Sequence, residues 1–193
     1  QRQMCIRDSY NCKPATLARK TASIKVFFKY MCNKTKKIPT NPAQDLETPK
    51  IGKRLPKYLT LEESKELLEA TASLEGHGNH DNAERNFAMI TILLNCGVRL
   101  SELVGINISD IDFENNKMNV IGKGDKERTI YLNNACMKAI NKYLEVRPRD
   151  GVKFNSRDAL FLSEQKKRIS KRTVQYIVKN ELRNAGIEKA NTY

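Results

Sequence analysis

The stretch Asn95-Cys96-Gly97-Val98-Arg99-Leu100-Ser101-Glu102-Leu103-Val104-Gly105-Ile106, followed by Val120-Ile121-Gly122-Lys123-Gly124-Asp125-Lys126-Glu127-Arg128-Thr129, decides the fold. A helix starting near Asn82 carries Phe87, Ile90, Leu93 and Leu94 at helical spacing and stops at Gly97, where a glycine can take the left-handed backbone of a helix end. Residues 101–105 form a second, short helix. Arg99 therefore stands at a junction between helices, near a helix start that favours anions. Its guanidinium fork can hold two non-bridging phosphate oxygens at once, which a lysine cannot do. A second reading stays open at this point, in which Arg99 simply pairs with Glu102 three residues on. Residues 117–121 and 127–132 alternate as two strands, and residues 122–126 are a tight hairpin tip that offers Lys123 between glycines. Taken alone, Gly-Lys-Gly reads equally well as a solvated basic turn. It is no phosphate-binding P-loop, since the G-x-x-x-x-G-K-[ST] spacing is missing and a strand follows instead of a helix.

Outward from this centre the chain is mostly helical. Downstream, residues 133–146 carry Met137, Ile140 and Leu144, an apolar step ends at Phe161-Leu162, and residues 170–185 carry Val174, Ile177, Val178 and Leu182 before Gly186. Upstream, Thr60-Leu61-Glu62-Glu63 is a capping box that opens a helix to about Ser73, with Leu61, Leu67, Leu68 and Ala72 expected inward. Before it, residues 47–57 hold two prolines, a glycine and four basic residues, a composition that cannot sustain a helix and predicts an extended basic linker. Earlier still, Leu17, Ile24, Phe27, Phe28 and Met31 recur at helical spacing among Arg19, Lys20, Lys25 and Lys29, and a helical turn is expected over residues 42–46. The fold class is mainly α with a small antiparallel β-sheet. The opening residues 1–9 show no helical pattern, look like translated adapter text, and receive no structural weight.

Composition narrows the partner. Lys and Arg number 35 against 22 Asp and Glu in 193 residues, a formal net charge of +13 that points to a polyanion. Charge alone leaves DNA and RNA both open. No run approaches the roughly 18 uninterrupted apolar residues of a membrane helix, and no signal peptide is visible. Cys5, Cys12, Cys32, Cys96 and Cys136 are scattered without a C-x-x-C pair, so no zinc site or disulfide framework is expected, and reduced thiols imply a cytoplasmic location. His77 and His80 lie in a Gly- and Asn-rich loop and are read as solvated; no metal or cofactor is expected.

Gly97-Val98-Arg99-Leu100-Ser101-Glu102-Leu103, then Asp110-Ile111-Asp112, then Ile121-Gly122-Lys123-Gly124-Asp125-Lys126-Glu127-Arg128 closely resemble the catalytic core of tyrosine recombinases, the phage integrase family, with the Xer-like branch nearest. The likeness runs upstream through Asn41-Pro42-Ala43 and Leu55-Pro56-Lys57-Tyr58-Leu59-Thr60, and downstream through Leu160-Phe161-Leu162-Ser163 and Ile169-Ser170-Lys171-Arg172-Thr173-Val174, spanning residues 13–193.

The resemblance implies that residues 10–46 are part of a helical core-binding domain, 47–57 an interdomain linker and 58–193 a truncated catalytic domain, the two domains closing on double-stranded DNA. It implies site-specific recombination or integration by metal-free transesterification through a 3′-phosphotyrosyl bond. Arg99 would be one of two arginines meeting phosphorane charge, and Lys123 the acid that protonates the leaving 5′-oxygen. The family's H-x-x-R box and nucleophilic tyrosine are expected beyond Tyr193, so the fragment itself would bind DNA weakly and cleave nothing. Assembly as a homo- or hetero-tetramer on DNA is the family's habit. From charge alone, Lys20, Lys25, Lys29, Lys50, Lys53, Arg54, Lys171, Arg172 and Thr173 are further candidates for phosphate contacts. The alternative is a sequence-specific DNA-binding or accessory protein of the same architecture without chemistry, and a third reading is a basic RNA-associated protein.

Overall fold

The computed structural model describes residues 12–50, 52, 58–73 and 80–187. Residues 1–9, Lys53, Arg54, His77 and Tyr193 therefore lie outside the described residues. The chain divides into two compact units, residues 1–55 and 56–193.

In the first unit, helix α1 spans Pro14–Asn33, with the proline at its start, where its missing N–H costs nothing. Ala18 and Thr21 are buried, whereas Ile24, Phe27 and Tyr30 are exposed. The helical spacing of the apolar residues is therefore real, but only part of that stripe is covered. Beyond it the Ala43 N–H donates to Asn41 Oδ1 at 2.9 Å. This closes a turn at the place where a helical turn was expected.

The second unit holds the core and the sheet. Helix α2 spans Leu61–Ala72, and its capping box forms as expected: Glu63 N–H donates to Thr60 Oγ1 at 3.2 Å, and Thr60 N–H donates to Glu63 Oε2 at 2.7 Å. The inward face differs from the expectation. Leu67 and Thr71 are buried, while Leu61 and Ala72 are exposed, because the stripe is phased on residues 67, 68 and 71. Thr71 is tolerated there because its hydroxyl donates to the Leu67 carbonyl at 2.7 Å.

Helix α3, His80–Cys96, is the axis of this unit and packs on α2, on α5 (Asn134–Val146) and on α6 (Lys171–Asn184). Contact on several sides explains why Ala88, Met89, Ile90, Thr91 and Ile92 are buried consecutively, rather than one stripe alone. Gly97 ends the helix at φ +57°, and α4 spans Leu100–Gly105. A sheet follows in the order β1 (Ile111–Asp112), β2 (Lys117–Ile121), β3 (Glu127–Tyr131), antiparallel throughout. Met118 and Val120 turn inward, and α4 packs on β2. The third strand, β1, was not anticipated. Tyr143 and Phe161 stack at 5.5 Å between centroids at the floor of the core. The Tyr143 hydroxyl accepts from the buried Leu162 N–H at 3.1 Å.

Buried or half-buried arginines tie the loops down by satisfying carbonyls. Arg147 donates to the carbonyls of Leu160, Ala159 and Arg157 at 3.1, 2.6 and 2.9 Å. Burial pushes its pKa down from the usual arginine range. Arg168 donates to the Val104, Gly105 and Ile106 carbonyls at 3.0, 3.0 and 3.1 Å, closing the end of α4 with a positive charge. The short helix that follows Arg99 is thereby pinned at its far end.

Candidate functional site

Gly97 turns the chain out of α3, and two residues later Arg99 is extended, at φ −71° and ψ 152°. The Arg99 N–H donates to Glu102 Oε2 at 2.8 Å, and Arg99 Nη1 donates to Glu102 Oε1 at 2.9 Å. One carboxylate thus fixes both the backbone and the side chain of the arginine. The Arg99 side chain is nonetheless 66% exposed, against 1% for Glu102. The salt-bridge reading and the phosphate reading are therefore compatible: the pair forms, and most of the Arg99 side chain still faces solvent.

Glu102 has a second cationic partner. Arg128 Nη2 reaches Glu102 Oε2 at 2.8 Å, with the Arg128 side chain 45% exposed. Arg128 lies on β3 directly opposite the buried Val120 of β2, so both leave the sheet on its core-facing side. At the open end of the sheet that direction leads to α4. Burial pushes the Glu102 pKa up. The Arg99 N–H and the Arg128 and Arg99 guanidiniums outweigh it and hold the carboxyl below the usual range. Two guanidiniums on one carboxylate leave a net single positive charge, with their outer N–H donors turned to solvent.

Lys123 sits at the exposed tip of the β2–β3 hairpin, one residue beyond a point of close packing. The Gly122 N–H donates to the Lys126 carbonyl at 2.8 Å and closes the turn, with Gly124 at φ +77° and Asp125 at φ +59°. A methyl group placed on Gly122 would lie 3.3 Å from Glu102 Oε1 and 3.8 Å from Arg99 Nη1. The base of the lysine hairpin therefore rests on the Arg99–Glu102 pair. Lys123 has no ion-pair partner among the described residues.

The remaining candidates lie on other elements. Lys20, Lys25 and Lys29 are on α1, with Lys25 and Lys29 four residues apart on one face and Lys20 about 140° round from Lys25. Lys50 is exposed. Lys171 and Arg172 are exposed in the first turn of α6. Thr173 takes part in the cap of that helix: its N–H donates to Ser170 Oγ at 3.1 Å, and the two hydroxyls lie 2.8 Å apart. Within the second unit no hydrogen bond or ion pair joins Lys171, Arg172 or Thr173 to Arg99 or Lys123 among the described residues. Sequence reasoning treated Glu102 only as a rival partner for Arg99 and missed Arg128 and Gly122. The usable signal was the alternation of β3, which puts Arg128 on the same side as Ile130.

Residues 57–192 match the phage integrase family. Tyrosine recombinase XerC of Caldanaerobacter subterraneus subsp. tengcongensis is 54% identical over 175 residues, covering 91% of this chain and 46% of that protein. XerC of Alcanivorax borkumensis is 33% identical over 173 residues, covering 90% and 54%. The chain thus spans about half the length of the relatives it matches. Among solved structures, XerA recombinase superposes with a TM-score of 0.59 at 27% identity, over 88% of this chain and 62% of that one. The XerH site-specific recombinase bound to palindromic difH substrate gives 0.76 at 20% identity, over 97% and 55%, a likeness of fold.

Proposed function

The chain belongs to the phage integrase family of tyrosine recombinases, and from that premise we propose that Arg99 and Lys123 serve one scissile phosphate of double-stranded DNA in site-specific recombination. The observation that carries this reading is the packing of Gly122 on the Arg99–Glu102 pair, which holds the lysine hairpin against the arginine. On this proposal residues 10–46 belong to a core-binding domain, 47–57 to a linker and 58–193 to the catalytic domain. The α1 lysines, Lys50, Lys53, Arg54, Lys171 and Arg172 add phosphate contacts that position without reading sequence.

In the whole recombinase a tyrosine hydroxyl attacks phosphorus, the bond to the 5′-oxygen breaks, and a 3′-phosphotyrosyl bond forms. The exposed donors of Arg99 meet the charge that grows on the non-bridging oxygens, and Glu102 keeps that guanidinium aimed without neutralising it. Lys123 supplies the proton that the departing 5′-oxygen takes. A later 5′-hydroxyl reverses the step and joins a new strand, on an assembly of four protomers.

The test uses the full reading frame and a nicked suicide duplex that traps the covalent adduct. Arg99→Ala and Lys123→Ala are each expected to slow adduct formation about 10²–10⁴-fold, with duplex affinity changed only a few-fold. A protein that binds the duplex yet forms no adduct, with or without the substitutions, would instead be a DNA-binding accessory of this architecture.

A further inference from the structure

Cys96 is the last residue of α3, and Cys136 lies in the first turn of α5. Their Sγ atoms are 3.8 Å apart although 40 positions separate them in sequence. Neither thiol has a part in the phosphate chemistry above. Cys136 is fully buried, while Cys96 is half-buried. Asn133 Oδ1 accepts the Cys136 N–H at 2.9 Å, which fixes that residue at the start of its helix. The two helices pack together in the core, and that packing brings the two sulfurs within van der Waals reach.

We propose that Cys96 and Cys136 are a dithiol modification site, which hydrogen peroxide or another hydroperoxide closes to an intramolecular disulfide. Exposure sets the order of events. The Cys96 thiolate attacks the peroxide, its O–O bond breaks, and a sulfenic acid forms with release of hydroxide, or of an alkoxide from an organic hydroperoxide. The Cys136 sulfur then attacks the Cys96 sulfur, the S–OH bond breaks, and water leaves with the Cys136 proton. Two thiols lose two electrons and two protons, and hydrogen peroxide becomes two waters, an organic hydroperoxide one water and one alcohol. A thiol hydrogen bond from Cys136 holds the Cys96 pKa below its usual value, and that contact together with burial pushes Cys136 up. These directions suit Cys96 as the attacking group and Cys136 as the resolving one. Only Gly97 and Val98 separate the resulting crosslink from Arg99, so the bond fastens the helix end from which that side chain projects. The inference stands on the sulfur geometry and does not depend on the role given to Arg99.

The reduced chain is treated with equimolar hydrogen peroxide and mapped by non-reducing peptide mass spectrometry, folded and in urea. The folded chain should yield one dominant crosslinked pair, Cys96 with Cys136, lighter by two hydrogens, and urea should abolish that selectivity. Cys136→Ala should instead accumulate a dimedone-trapped sulfenic acid on Cys96. Cys96→Ala, whose half-buried site tolerates truncation better, should leave Cys136 a free thiol. The proposal is overturned if Cys12 or Cys32 oxidises before Cys96 in the folded chain. Pairing of Cys96 with another cysteine, or oxidation of Cys136 at the parent rate in Cys96→Ala, overturns it equally.

Discussion

At residue 102 a carboxylate with 1% of its side chain exposed meets two arginines whose side chains are 66% and 45% exposed. The cations keep their water, so removing the anion does not strand a buried charge. Its worth lies in three hydrogen bonds and the direction they impose. Glu102→Gln should therefore cost about 1–3 kcal/mol, read by urea unfolding. The pH dependence follows from the depressed pKa. The unfolded carboxyl titrates near about 4.3. Glu102 thus contributes its full stabilisation above that value and loses it as pH falls through the lower folded value. Glu102→Gln should flatten the acid limb of the stability curve in that window, and an unchanged limb would contradict this. Tyr143→Phe is a separate residue-scale case: it strips the buried Leu162 N–H of its acceptor and should cost about 1–3 kcal/mol in the same assay.

Among elements, the ends of helices were the most legible in the sequence, because capping chemistry is local. Thr60 with Glu63, the stops at Gly97 and Gly186, and the start at Ser170 all depend on residues within a turn of each other. Thr60→Ala should accordingly destabilise the second unit by about 1 kcal/mol, measurable as a shift in the thermal midpoint. What escaped was set by distant partners. The two residues of β1 are too few to show alternation, and they form a strand only because Met118 and Lys117 pair with them. Arg168 caps α4 from more than sixty residues away, and Arg128 reaches Glu102 across 26 positions. Leu61 was expected inward on hydropathy, yet the phase of α2 turns it out. The hairpin base offers its own test. Gly122→Ala places a methyl 3.3 Å from Glu102 Oε1 and 3.4 Å from the Lys126 carbonyl. It should disturb the Arg99 guanidinium more than the fold, lowering the adduct rate while duplex affinity changes little and the far-UV spectrum stays constant.

For the whole molecule, a net charge of +13 bears on the proposed duplex partner before it explains any chemistry. Binding to duplex should weaken steeply with salt, and each phosphate-contacting cation should contribute close to one unit of the log–log slope. Removing Lys25 or Lys29 should reduce that slope with little change in sequence preference, whereas tighter binding to structured RNA at matched salt would contradict a duplex partner. The proposed chemistry is narrower: Lys123 would donate a proton to the oxygen leaving the same phosphorus whose charge Arg99 would meet. A duplex with sulfur in place of the bridging 5′-oxygen tests it most directly, since a thiolate leaves without protonation. With the full reading frame, Lys123→Ala should recover most of its cleavage rate on the sulfur substrate, and Arg99→Ala should stay slow on both. If Lys123→Ala gains nothing from sulfur, the lysine is not the acid and the shared phosphate is lost with it.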